Sequence, residues 1–231
     1  MYNAKYIFHK NKKIGDLLKK FSSLHPKEID LSLGRIKKLL RKINNPHKNL
    51  SNIIHIAGTN GKGSTATIIF QLQKRAGRKV HVYRSPHLMS FNERIFINNK
   101  EISDKYLLEI LDYIYKKNNN DPITFYEIIT AAAFFAFSQN PSDLTILEVG
   151  LGGRFDATNV ISKRKTTIIT PIGYDHKNFL GNTLISIAKE KSGIINKNSV
   201  TICSKQKRSV KEFLLKIIDN RKNSSMIYGK D

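Results

Sequence analysis

Ile53-Ile54-His55-Ile56-Ala57-Gly58-Thr59-Asn60-Gly61-Lys62-Gly63-Ser64 has the makings of a phosphate site. An apolar run ends in a glycine-rich turn, and a lysine and a hydroxyl residue open the next segment. Glycines let the backbone approach an anion closely. At a helix start, N–H groups point at the anion and the helix dipole favours negative charge. Lys62 is long enough to reach terminal phosphates, and Ser64 offers a hydroxyl to a phosphate oxygen or a metal. The spacing departs from G-x-x-x-x-G-K-[ST]: that pattern's first glycine falls at Ile56, and Gly63 separates the lysine from the serine.

Other positions could complete such a site. Glu148 ends Thr145-Ile146-Leu147-Glu148-Val149-Gly150, where a carboxylate is costly unless paired or bound to a cation. A metal role suits it, because Mg²⁺ takes oxygen ligands beside phosphates; an ion pair with Arg154 is the ordinary alternative. Gly150-Leu151-Gly152-Gly153-Arg154-Phe155-Asp156-Ala157-Thr158-Asn159 is a second glycine-rich loop, a weak signal alone but placed to shape a ligand wall. Asp175-His176 follows another apolar run, and His176 is either a ligand or a structural hydrogen-bonding residue. Pro86 holds Ser85 extended, which can turn its hydroxyl to the phosphate edge; an ordinary strand-exit turn would read the same way. Lys191 and Lys189 both sit near a helix end, where lysine complements the dipole, and the residues alone do not choose between them.

The elements that must position these groups alternate strand and helix. Apolar spacing predicts helices over 12–22 and 33–43, the second ended by Asn44-Asn45-Pro46. Ile53–Ala57 reads as a buried strand, followed by a helix to about Ala76 and a strand over Lys79–Tyr83. Phe91–Ile102 reads as loop with short extended pieces, and Asp104 as the N-cap of a helix to Lys117. Thr124–Ser138 is an apolar, alanine-rich helix; Leu144–Val149 and Thr166–Thr170 are strands. Thr183–Ile195, Val200–Cys203, Ser209–Ile218 and Met226–Tyr228 read as helix, strand, helix and short strand. This order predicts an α/β fold, a mostly parallel sheet with helices on both faces. Ligands of such sheets sit at the carboxyl ends of strands. The glycine turn, Ser85, Glu148 and Asp175-His176 all follow strands and should gather on one sheet edge.

Composition narrows the partners. The chain has 231 residues and 40% hydrophobic content, enough for a substantial core. Its 40 Lys+Arg against 18 Asp+Glu give a net charge of +22, which favours anionic partners. The lysines are spread along the chain among asparagines, as on a solvated surface. Clustered arginines and aromatic stacking platforms do not occur, so no nucleic-acid partner is expected. No apolar run approaches the roughly 20 residues that span a bilayer, and Met1–Tyr6 lacks a signal-peptide core. A cytoplasmic location without membrane contact is the default. The one cysteine, Cys203, belongs to a buried strand and forms no cysteine metal cluster.

Several ordered blocks together resemble folylpolyglutamate synthase/dihydrofolate synthase, relatives of the Mur peptide ligases. They are Ala57–Ser64, Ser85-Pro86-His87-Leu88, Thr124-Phe125-Tyr126-Glu127, Ile146–Asn159, Asp175-His176 with Leu180-Gly181, and Glu190–Ile194, within a span that opens at Ile29-Asp30-Leu31. Lys62-Gly63-Ser64, with the Ser85 and Thr124 blocks, is similar to the folate branch; Mur ligases usually carry Lys-Thr-Thr there. The resemblance implies a P-loop-type Mur ligase central-domain fold over 51–231, after an N-terminal helical segment over 1–50. It implies an ATP-dependent ligase that phosphorylates a carboxylate of folate or dihydropteroate. The amine of L-glutamate then attacks the acyl phosphate and expels phosphate through a tetrahedral intermediate. In that reading Gly58, Thr59, Asn60, Gly61, Lys62, Gly63 and Ser64 hold the ATP phosphates. Ser85 and Glu148 bind one Mg²⁺, and Glu148 and His176 help bind a second. Lys62, Glu148, His176 and Lys191 form the catalytic set, Lys191 matching a lysine that the family carbamylates. The pterin meets Ser23-Leu24-His25-Pro26, the Thr124–Glu127 block and Phe155-Asp156-Ala157.

The sequence departs from the family at Asp231. Members are usually far longer and carry a C-terminal domain that helps hold adenine and glutamate. The resemblance therefore implies a fragment, a truncated product or one half of a split enzyme, with little ligase activity alone. It would act as a monomer or beside a separate C-terminal partner chain. The alternatives are a Mur-type ligase for a nucleotide-sugar peptide, and a non-catalytic basic nucleotide-binding remnant.

Overall fold

A computed structural model of the chain describes residues 7–27, 29–162 and 165–228. The strands are β1 (Ile53–Ala57), β2 (Val80–Tyr83), β3 (Ile95–Ile97), β4 (Lys100–Glu101), β5 (Leu144–Glu148), β6 (Thr166–Ile169), β7 (Val200–Cys203) and β8 (Ser224–Ile227). They form one sheet in the order β4-β3-β2-β5-β1-β6-β7-β8. From β2 to β8 the sheet is parallel, and β3 and β4 add an antiparallel edge. The helices are α1 (Lys12–Ser23), α2 (Gly34–Lys42), α3 (Lys62–Arg75), α4 (Asp104–Asn118), α5 (Phe125–Ser138), α6 (Lys177–Leu180), α7 (Leu184–Lys191) and α8 (Arg208–Asn220).

Parallel neighbours need crossover helices, and these cover the sheet's apolar faces. Strand side chains alternate between faces. Ile53 and Leu147 therefore share a face with Tyr83, where α1, α2, α4 and α5 build the largest apolar cluster. On the same face Ala57, Ile169 and Cys203 receive α7 and α8. The opposite face carries Ile56, Val82 and Ile146, against which α3 packs Ala66 and Phe70.

Helix starts follow side-chain chemistry. Asn11 Oδ1 accepts from the Lys13 and Ile14 amides and caps α1. Thr124 and Glu127 form a reciprocal capping box at α5. The expected cap of α4, Asp104, is instead its first helical residue: Ser103 is extended, and its side chain accepts from the Tyr106 amide. Asp104 accepts from Asn92 Nδ2 at 2.8 Å, and its charge still suits the helix N-terminus.

The Phe91–Ile102 segment is more ordered than expected: a 3-10 helix over Phe91–Arg94 leads into the β3–β4 hairpin. Asn98 and Asn99, with φ of 47° and 70°, make its two-residue turn. The short helix α6 has no counterpart in the sequence-based expectation, and the helix expected to reach Ile195 stops at Lys191 before a 3-10 turn over Ser192–Ile194. Met1–Tyr6 lies outside the described residues. Among those described, no helix is long and apolar enough to cross a membrane.

Candidate active site

The glycine turn joins β1 to α3. At Gly58, φ is 153° and a Cβ would overlap the Thr170 side chain, so the strand exit tolerates only glycine. Gly61 takes φ 83° at the N-cap of α3, and no side chain caps that helix. The helix N-terminus is thus left to an outside acceptor. The Thr59 and Asn60 amides donate to Pro171 O at 3.0 and 3.3 Å, which fastens the turn to the segment after β6. Thr59 Oγ1 donates to Gly173 O and accepts from Gly173 N, both at 3.1 Å. Lys62 Nζ folds back to donate to Gly58 O at 3.1 Å and Thr59 O at 3.2 Å. Asn60 and Ser64 are exposed.

Beside the turn lies a cavity of ≈ 150 Å³, lined by Gly58, Lys62, Ser85, Pro86, Val149–Gly152, Asp175, His176 and Lys191. Lys191 is buried and donates to Gly58 O at 2.8 Å, whereas Lys189 is exposed. The fold makes the choice that composition left open. Burial, then the charge of Lys62, pulls the Lys191 ammonium down to about 8. Glu148 is pushed up to about 7 by burial, against the pull of Lys62, the Ser85 amide and Arg84. A Cβ at Gly63 would stand 3.6 Å from Glu148 Oε1, so this carboxylate lies against the first turn of α3. Arg154 faces Glu190 at 3.8 Å, so the alternative of an ion pair between Arg154 and Glu148 does not form. His176, at φ 43°, precedes α6 and has Asp175 Oδ1 at 3.4 Å from Nε2.

A second cavity of ≈ 360 Å³ adjoins the first and shares Ser85, Pro86, Gly150, Leu151 and His176 with it. Its remaining walls are Ile29–Ser32, Arg94, Thr124–Glu127 and Phe155–Ala157. Both expected substrate blocks, Thr124-Phe125-Tyr126-Glu127 and Phe155-Asp156-Ala157, are therefore brought together. Ser23, Leu24, His25 and Pro26 do not line it. They leave the end of α1, and His25 reaches the wall only through Asp30, 3.4 Å away. The Ile29–Ser32 segment stands where that block was expected.

Arg35, which sequence reasoning passes over, holds this wall together: Nη1 donates to Asp30 Oδ2 and Nε to Glu127 Oε2, both at 2.9 Å. Arg94, also passed over, is buried and donates from Nε to His87 Nδ1 at 2.9 Å. Neither has a motif around it, and both pair with residues far away in sequence or across a turn. Asp156 is spent inside the fold. Its Oδ2 accepts the Gly150 and Leu151 amides at 2.9 and 3.0 Å, and its Oδ1 the Thr158 amide at 2.9 Å. Burial raises its pKa, and these hydrogen bonds oppose the rise.

Among the described residues no three His, Cys, Asp or Glu gather around one point, so within them there is no full protein cage for a metal. Glu148 does not itself line the cavity; it sits behind it, accepting from the Ser85 amide and facing Gly63. With Ser85 and His176 of the cavity wall, this donor set fits Mg²⁺, which keeps waters and takes its remaining ligands from substrate phosphates.

Residues 56–231 match the Mur ligase middle domain. The dihydrofolate synthase/folylpolyglutamate synthase of Haemophilus influenzae is 41% identical over 174 residues, 75% of this chain and 39% of the relative. The dihydrofolate synthetase of Saccharomyces cerevisiae is 37% identical over 86% of this chain and 50% of its own length. The solved structure of E. coli FolC in complex with DHPP and ADP superposes with a TM-score of 0.86 at 31% identity, covering 93% of this chain and 51% of that one. Mycobacterium tuberculosis folylpolyglutamate synthase, complexed with ADP and AMPPCP, gives 0.81 at 34% identity, with 93% and 50% covered. The chain spans about half or less of the length of these relatives. Matched over most of its length by the middle-domain model, the chain belongs to the Mur ligase family.

Proposed function

We propose that this chain carries the ATP-binding and acceptor-binding part of a ligase that joins L-glutamate to dihydropteroate or folate. The observation behind it is the wall shared by the two cavities. A ligase that works through an acyl phosphate must bring an acceptor carboxylate to the terminal phosphate of ATP, and adjoining cavities with a common wall provide that meeting place. Its named relatives are dihydrofolate and folylpolyglutamate synthases.

In this reading the turn Gly58–Ser64 binds the ATP phosphates, and Lys62 leaves its carbonyl partners to neutralise them. Ser85, Glu148 and His176 would hold two Mg²⁺ ions, which supply charge neutralisation for phosphoryl transfer. Lys191, buried and shifted towards its neutral amine, would add CO₂ at Nζ with release of a proton to become a carbamate anion on the metal side. Apolar Phe125 and Phe155 flank the pterin, while Arg35 and Asp156 keep the surrounding wall in shape. Catalysis here is positioning and charge neutralisation rather than acid–base chemistry.

Calorimetric titration of the chain tests the reading, with MgADP followed by dihydropteroate, tetrahydrofolate or a UDP-linked peptide. Binding of a pteroate compound strengthened by MgADP is the expected result. Selective binding of the UDP-linked peptide would move the chain to the peptidoglycan branch. Nucleotide binding with no acceptor at all would leave only the remnant reading.

A further inference from the structure

The histidine of β1 belongs to neither cavity. His55 is fully buried in a strand whose other members are aliphatic, yet both its ring nitrogens are engaged. Nε2 lies 2.7 Å from Thr158 Oγ1, and Nδ1 lies 2.8 Å from Lys165 Nζ. The bond directions follow from the proton inventory. Thr158 has one hydroxyl proton, and it goes to Asp156 Oδ1. Towards His55, Oγ1 can then only accept, so Nε2 carries the ring proton. Nδ1 is bare and accepts from Lys165. A single-direction donor chain results, from Lys165 through His55 and Thr158 to Asp156. Its far end matters, because the other oxygen of Asp156 holds the Gly150 and Leu151 amides, and those two residues line both cavities.

We infer that Lys165, His55 and Thr158 are positioning residues that act through Asp156 to fix the Gly150–Leu151 turn in the shared wall. A buried polar chain of this kind is costly when broken, because each link leaves a neighbour unsatisfied. It also links the Lys165 amine, which burial pulls down to about 7, through two intervening side chains to a buried carboxylate. What the wall binds rests on the proposed function; how the wall is held does not.

Nuclear magnetic resonance on the whole chain tests the inference without any ligand. His55 should be neutral with the proton on Nε2 at neutral pH. Thr158→Val, which keeps the side-chain shape, should weaken hydrogen-exchange protection of the Gly150 and Leu151 amides roughly tenfold or more. Protection of the β5 amides should stay unchanged. His55→Phe should do the same, and His55→Gln, which keeps one donor and one acceptor, should restore protection. A charged ring, an Nδ1–H ring, or unaltered protection in Thr158→Val overturns the inference. Where His55→Phe fails to fold, Thr158→Val and His55→Gln decide. Titration with dihydropteroate forms a separate arm: a wild-type chain that binds none counts against the proposed function, while the amide readout still judges the relay.

Discussion

The two cavities are built in opposite ways. The small one gathers around backbone features, a glycine turn, an uncapped helix start and the exits of β2, β5 and β6, with Lys62, Asp175, His176 and Lys191 in its wall. The large one is mostly side chain, assembled from the 29–32 segment, the start of α5 and the loop after β5. A backbone site is encoded by contiguous residues, because one turn supplies both shape and hydrogen-bond donors. A side-chain site depends on distant segments being pinned together, here by Arg35 and Asp156. The first should lose ligand when a charge is removed yet keep its shape. The second should lose its shape when a pin is removed.

The largest effect is expected at a pin. Arg35→Met leaves the buried Glu127 carboxylate without its guanidinium, and breaking such a pair costs about 3 kcal/mol. Urea unfolding should show that loss, and acceptor binding should fall with it. Lys62→Ala should instead leave unfolding nearly unchanged and weaken ADP by about 2 kcal/mol, roughly thirtyfold, in calorimetry. Equal losses of ADP and acceptor in either variant would break the division between the cavities.

A pH series sharpens it further. Glu148 titrates higher in the folded chain than in the unfolded one. The folded state therefore holds the extra proton, and stability falls as pH rises from the ordinary carboxylate range through about 7. Over the same interval the freed carboxylate should strengthen the Mg²⁺ dependence of ADP binding. Glu148→Gln should flatten both curves, as read by thermal unfolding and calorimetry at each pH. The smallest effect lies far from either cavity: Ser103→Ala removes the α4 cap, costs about 1 kcal/mol in unfolding, and should leave both ligands untouched.

This contrast also explains how much of the molecule is legible in the sequence. The glycine turn, β1, β5 and the apolar helix after Thr124 are local patterns, and they appear where their residues predict. Lys191 over Lys189 is not legible, because a half-turn of helix decides which amine is buried and only packing sets that phase. Ser103 rather than Asp104 caps α4: both residue types are good caps, and Ser103 is the one left extended before the first helical residue. Arg35 and Arg94 carry no local mark in a chain rich in basic residues; their partners give them meaning. His55 is hidden for the opposite reason. Inside an apolar run it reads as strand filler, and its role depends on Thr158 and Lys165, 103 and 110 positions away. Ser23–Pro26 sits a few residues before Ile29–Ser32, the segment that lines the large cavity, and sequence spacing does not separate the two.

Five residues belong to both cavity walls, and thermodynamic reciprocity gives that fact a consequence. If bound nucleotide shifts Gly150, Leu151 or His176 so that the acceptor binds tighter by some factor, the acceptor must tighten nucleotide by the same factor. Neither ligand can then have a private affinity. The order in which they arrive leaves the final ternary free energy unchanged, and any substitution in the common wall is felt by both.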